Sequence, residues 1–282
     1  MKLDDLQESD NVEDRRGVSG GGVVVGGVGV LVLALVVMLL GGDPTKLLQS
    51  VATGDSRPVA SSTRGTAVDQ KQVQFVKKIL WSTEDVWASE FRKLGSRYEN
   101  TKVELYADQT RSGCGAANAQ MGPFYCPADR CVYLDLSFFQ ELQDRFGVKG
   151  DFPRAYVIAH EVGHHVQDLL GISAKVEQAR RHASEAQANA LSVRLELQAD
   201  FYAGYWAQKA QAKFSFLDPG DIEAAVQAAS AIGDDTLQKQ ARGYAVPDSF
   251  THGTSSQRVK WFLKGFKSSD FREGDTFRVK DL

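Results

Sequence analysis

A basic excess is absent from this chain: 33 Lys and Arg face 36 Asp and Glu, for a formal charge of -3, so nucleic acid finds no electrostatic footprint here. Internal repeats are absent too, which excludes solenoid and propeller architectures. Cysteine is scarce, and the three present, Cys114, Cys126 and Cys131, lack the CxxC spacing of a cysteine zinc site. What remains is a chain of 282 residues, long enough for one substantial core with accessory segments. A peptide or protein substrate stays open, and the oligomeric state is not set by the sequence.

Charge is missing altogether from Val23 to Leu40. Eighteen helical residues rise about 27 Å, and the flanking glycines from Gly20 to Gly42 extend that reach to the hydrocarbon thickness. Residues 18–42 are therefore expected to form one transmembrane helix. A cleaved signal peptide is the nearest alternative, but the run exceeds a signal h-region and the small-x-small site at Ser50–Ala52 lies well beyond it. Arg15 and Arg16 precede the run while Asp43 and Lys46 follow it, so the N-terminus is expected in the cytoplasm. The expected organisation is a cytoplasmic tail at 1–17, the span at 18–42, a linker at 43–70 and a folded domain at 71–282, placed periplasmic or extracellular at the inner (cytoplasmic) membrane.

Within the domain, Ser82 and Asp85 stand in capping-box spacing before Val86, Phe91 and Leu94, with Gly95 as a stop. Val103–Tyr106 and Val132–Leu136 alternate as strands around a loop punctuated by Gly115, Gly122, Pro123 and Pro127. The rest reads as helical, which makes the class α+β, mainly helical with a small sheet. The cysteines sit in or beside that loop, and in an oxidising compartment Cys114 is expected to pair with Cys126, leaving Cys131 free or in exchange.

The chemistry is carried by YVIAHEVGHHVQ, Tyr156–Gln167, between Pro153 and Gly171. Residues four apart share a helix face, so His160 and His164 can turn their imidazoles to one ion while Glu161 stands beside the water that the ion activates. His165 points about 100° away and is expected to pack or hydrogen-bond nearby. A hydrolytic zinc site needs a third protein ligand. His182 lies in a polar, solvated stretch, whereas Glu196 lies in LSVRLELQADFYAGYWA, where a carboxylate is costly to bury unless it is paired or bound to metal. Asp200, four residues on, would then accept the distal N–H of a ligand histidine. Asp200 as ligand with Glu196 as support, and a plain salt bridge from Glu196 to Arg194, remain alternatives.

These residues resemble zincins of the gluzincin type, with HExxH followed by ExxxD on a second helix. The chain is closely similar to the bacterial neutral zinc metallopeptidase family (YpfJ-like proteins) in ESDNVEDRRG (Glu8–Gly17), MGPFYCPAD (Met121–Asp129), VYLDLSFF, the HExxH helix, ELQAD and VPDSFTHGTSSQR (Val246–Arg258). The resemblance implies a single-pass membrane protein with a zincin-like domain, zinc as cofactor, and His160, His164 and Glu196 as ligands. Phe201 departs from the pattern, since family members often carry a cysteine there and another near the C-terminus.

The expected activity is that of a membrane-anchored zinc endopeptidase, with Glu161 as general base. His252 in FTHGTSSQR is a candidate oxyanion donor and resembles the THP loop of related membrane gluzincins, with a helix-capping histidine as the alternative. Arg258 reads as donor or anchor, and Tyr205 as a weaker option. The Val132–Leu136 strand is expected to offer an edge to an extended peptide, with an ordinary interior strand as the alternative. A non-catalytic zinc-binding scaffold or partner-binding protein is the competing function.

Overall fold

Short alternating runs in the first half of the domain fold as strands, and the periodic runs after them fold as helices that bury one face each. The structure, a computed structural model, describes residues 1–16 and 67–282. The span expected at 18–42 and most of the expected linker lie outside the described residues. Among the described residues, no helix is long and apolar enough to cross a membrane.

Helix α1, Ala67–Lys93, starts well before the Ser82–Asp85 spacing suggests. Ser82 is interior: its hydroxyl donates to the Ile79 carbonyl at 2.7 Å and accepts the Trp206 indole N–H at 3.2 Å. Gly95 then turns the chain at φ 70°, a left-handed conformation that glycine adopts without Cβ strain.

The strands are β1 Val12–Asp14, β2 Lys102–Tyr106, β3 Gln109–Ser112, β4 Gly115–Asn118, β5 Phe124–Cys126 and β6 Cys131–Asp135. One sheet has the order β1-β2-β6-β5, while β3 and β4 form a separate hairpin. Strands β1, β2 and β6 run parallel, and β5 is antiparallel to β6. Every residue of β6 is buried, as befits a strand covered on both faces. Val132–Leu136 is thus an interior strand, which overturns the expectation that it offers a substrate-binding edge; the edge beside it is β5. The Cys114–Cys126 disulfide ties the β3–β4 turn to β5, and Cys131 is a free, buried thiol.

Met1–Arg15, within the tail expected at 1–17, group with the domain. Besides forming β1, they bury Leu6, and Met1–Arg15 with Ala67–Leu282 make one compact unit.

The helices that follow are α2 Ser137–Asp144, α3 Phe152–Leu169, α4 Ile172–Arg180, α5 Glu185–Phe214, α6 Asp221–Ala231, α7 Asp234–Arg242 and α8 Ser255–Lys267. Small residues let three of them approach closely. A Cβ at Gly163 of α3 would lie 3.1 Å from the Ala199 backbone of α5, and one at Gly204 of α5 would overlap the Phe262 carbonyl of α8. Phe201 and Phe262 are fully buried between α5 and α8, each contributing about 1.5–3 kcal/mol of transfer free energy. The Phe201 ring rests on Gly274, so ring packing stands where the resembling family often has a cysteine.

Candidate active site

The Gly163–Ala199 contact sets the site, because it brings the turn of α3 bearing His160 and His164 against the turn of α5 bearing Glu196 and Asp200. His160 Nε2 lies 3.2 Å from Glu196 Oε2, and His164 Nε2 lies 3.4 Å from Glu196 Oε1. Ligand atoms of these three residues all fall within 4.8 Å of one another. The two shorter spacings match the edge, roughly 3.3 Å, of a tetrahedron around an ion with ligands at about 2.0–2.1 Å. The donor set of two imidazoles and one carboxylate is that of a hydrolytic zinc centre.

The distal nitrogens are tied back, which leaves both Nε2 lone pairs for the ion. His160 Nδ1–H donates to Asp200 Oδ1 at 2.8 Å. His164 Nδ1–H donates to Gln167 Oε1 at 2.9 Å. The Gln167 amide is itself oriented, since its Nε2 donates to the Leu195 carbonyl and to Gln198 Oε1. Asp200 also accepts from the Tyr156 hydroxyl at 2.5 Å and from Arg258 through Nε and Nη2 at 2.8 and 2.9 Å. Asp200 is thus engaged by His160 Nδ1, Tyr156 and Arg258, and Glu196 is the carboxylate facing both Nε2 atoms, while Arg194 is turned instead to the Thr276 and Val279 carbonyls.

Charge in this buried cluster favours a cation. Burial alone would raise the Asp200 carboxyl, yet Arg258 and His160 hold it at about 2. Burial alone would lower His160, but the Asp200 and Glu196 carboxylates raise it to about 10. Glu196 raises His164 in the same way. Surroundings that favour positive charge on both imidazoles favour a metal ion between them. Arg258 offsets one of the three carboxylates Glu161, Glu196 and Asp200, and a dication offsets the other two.

Glu161 shares the floor of a cleft of about 1240 Å³ with the two histidines and Glu196. Burial lifts its carboxyl above the ordinary range, against the opposing pull of both histidines, which suits a group that must take up a proton. Phe124 and Tyr125 of β5 and His252 also line the cleft. His252 is exposed at the rim, where its Nδ1 meets Asp234 Oδ1 at 3.1 Å. The other Asp234 oxygen accepts the backbone N–H groups of Thr251, His252 and Gly253. The cap of α8 is Thr254, paired reciprocally with Gln257, so His252 is not the helix cap.

His165 is fully buried and faces away, as expected. Its Nε2–H donates to the Glu99 carbonyl at 2.6 Å, which fixes the tautomer and leaves Nδ1 to accept the Tyr125 hydroxyl at 3.0 Å. That bond joins edge strand β5 to the helix carrying the site.

Of the other candidates, Tyr205 is buried against Trp87 and Phe271, with its hydroxyl on the Ser269 carbonyl, and His182 lies in the exposed turn after α4. Neither lines the cleft. Arg258, expected as donor or anchor, bonds to Asp200 through Nε and Nη2 and also lines the cleft. Asp234, Gln167 and Tyr156 were not singled out by the sequence. Gln167 and Tyr156 stand three and four residues from a ligand histidine on its own helix, a spacing that marks them as neighbours. Asp234 reaches His252 across a loop and carries no such signal.

The family described as "Putative neutral zinc metallopeptidase" matches residues 1–277. The Escherichia coli K12 protein YpfJ is 48% identical over 285 residues, covering 98% of this chain and 99% of YpfJ. The Mycobacterium tuberculosis H37Rv protein Rv2575 is 38% identical over 257 residues, covering 87% of this chain and 86% of Rv2575. Both are named as uncharacterized proteins, and no solved structure matches. The chain belongs to the neutral zinc metallopeptidase family, and its cofactor is zinc.

Proposed function

We propose that the chain is an endopeptidase that hydrolyses peptide bonds in extended polypeptide, with His160, His164 and Glu196 holding zinc. The observation that carries this reading is the placement of Glu161, outside the ligand trio yet on the same cleft floor. Zinc, when bound, supplies the Lewis acidity that polarises a carbonyl and brings the pKa of water toward about 7. Glu161 takes the proton of the attacking water and passes it to the leaving amine. His252, oriented by Asp234, donates to the oxygen on which charge develops. Asp200 and Gln167 keep the ligand imidazoles in the required tautomer. The free edge of β5 pairs with substrate main chain along the cleft.

We place the catalytic unit outside the cytoplasm, at the inner membrane. The Cys114–Cys126 bond supports an oxidising compartment, and the uncharged run Val23–Leu40 supports membrane attachment.

The zinc-loaded full chain, incubated with a permanently unfolded protein, is expected to produce internal cuts that mass spectrometry of the fragments locates. His252→Ala should lower kcat by about 10²–10³ with zinc content unchanged. Fragments trimmed only from chain ends, or none, would overturn the endopeptidase reading.

A further inference from the structure

The motif ESDNVEDRRG at Glu8–Gly17 plays no part in the chemistry above, yet its residues make specific contacts with the catalytic unit. The Ser9 hydroxyl and the Asn11 amide both donate to the same Glu84 oxygen on α1, at 2.9 and 2.7 Å. Glu84 is buried, and burial raises its carboxyl despite these two bonds; without them a buried acceptor would be left unsatisfied. The Ser9 N–H donates to the Lys77 carbonyl at 3.1 Å. Val12, Glu13 and Asp14 then pair in parallel register with Val103, Glu104 and Leu105. The ladder is continued by the Val103 N–H to the Asn11 carbonyl and the Arg15 N–H to the Leu105 carbonyl, at 2.9 and 2.8 Å. Arg15 closes it with an ion pair to the buried Glu104 at 3.1 Å.

Paired strands lie about 4.8 Å apart, whereas the hydrocarbon core of a bilayer is about 30 Å thick. No ladder of this kind can form across a membrane. We infer that the N-terminal segment Met1–Arg15 lies in the same compartment as the zinc site, as a built-in strand of its sheet. A chain that crossed the membrane once between Arg16 and Ala67 would separate β1 from β2, strip Glu84 of its two donors and leave β2 as a bare edge. The N-terminus is therefore on the side of the catalytic unit, opposite to what the flanking arginines suggest. This inference does not depend on peptidase activity.

The test uses the full chain in intact bacteria. Glu13 and Lys102 form a surface ion pair of 2.8 Å between β1 and β2, so Glu13→Cys with Lys102→Cys brings two thiols within reach of a short, membrane-permeant bis-maleimide. Asp85→Cys with Lys213→Cys, replacing a 2.6 Å ion pair inside the catalytic unit, reports whether that unit is folded and the reagent has entered. The expected result is a cross-linked monomer for both pairs at comparable yield, with the peptides bearing positions 13 and 102 recovered as one species. A membrane-impermeant maleimide should likewise reach Asp5→Cys and Lys213→Cys together, both in intact spheroplasts or both only after lysis. Cross-linking of the control pair without the 13–102 link, a 13–102 link found only between chains, or labelling of the two single positions from opposite sides would overturn the inference.

Discussion

Glu161→Gln is expected to abolish most hydrolysis while leaving the zinc in place. Glutamine keeps the size and a hydrogen-bonding oxygen but cannot take a proton, so kcat should fall by about 10²–10⁴. Glu161 lies outside the group His160, His164 and Glu196, and the contacts that orient those ligands come from Asp200 and Gln167. Metal content and thermal midpoint should therefore stay close to wild type. Kinetics on an unfolded protein, with metal analysis of the same preparation, check this. A variant that turns over at the wild-type rate removes Glu161 from the chemistry. One that loses its zinc makes Glu161 part of the metal site.

The second large effect separates ligand from support. Glu196→Ala removes one of three candidate ligands, whereas Asp200→Asn keeps an oxygen facing His160 Nδ1 but loses the charge and the acceptor for Arg258 Nε. Removal of such a supporting interaction typically weakens metal affinity or activity about 10- to 100-fold, and Glu196→Ala should exceed it. Competition with a chelator of known affinity ranks the two. The reverse order would make Asp200 the ligand, against its present engagement with Tyr156, His160 and Arg258.

The site was more legible in the sequence than the sheet, for a physical reason. His160, Glu161 and His164 share one helix, and Glu196 and Asp200 share another, so the 3.6-residue period alone sets each group on a face. The sequence left Asp200 and Glu196 as rival ligands; the packing of α3 on α5 through Gly163 and Ala199 puts Glu196 beside the Nε2 atoms of both histidines and Asp200 against Nδ1 of His160. Asp234 was invisible because its partner stands 18 residues away across a loop.

Strand errors came from burial. Val132–Leu136 reads as an alternating strand, but β6 is covered on both faces, and its neighbour β5, the true edge, is only three residues long. Strand β1 has the same length and no apolar alternation; tertiary pairing with β2 creates it. The Ser82–Asp85 spacing mimicked a helix start because Ser82, inside α1, satisfies its hydroxyl within the helix and against Trp206. The cysteine pairing was legible, since Cys114 and Cys126 flank one turn-rich loop.

The central claim joins zinc to hydrolysis at one site, and a single titration tests it. Metal-free full chain is given zinc in small increments, and the rate of peptide-bond hydrolysis in an unfolded protein is read at each step. The account predicts a rate that rises in proportion to zinc and breaks at one equivalent per chain, as the His160–His164–Glu196 group, the single such group among the described residues, requires. A rate that stays at the metal-free background through and beyond one bound equivalent would contradict it.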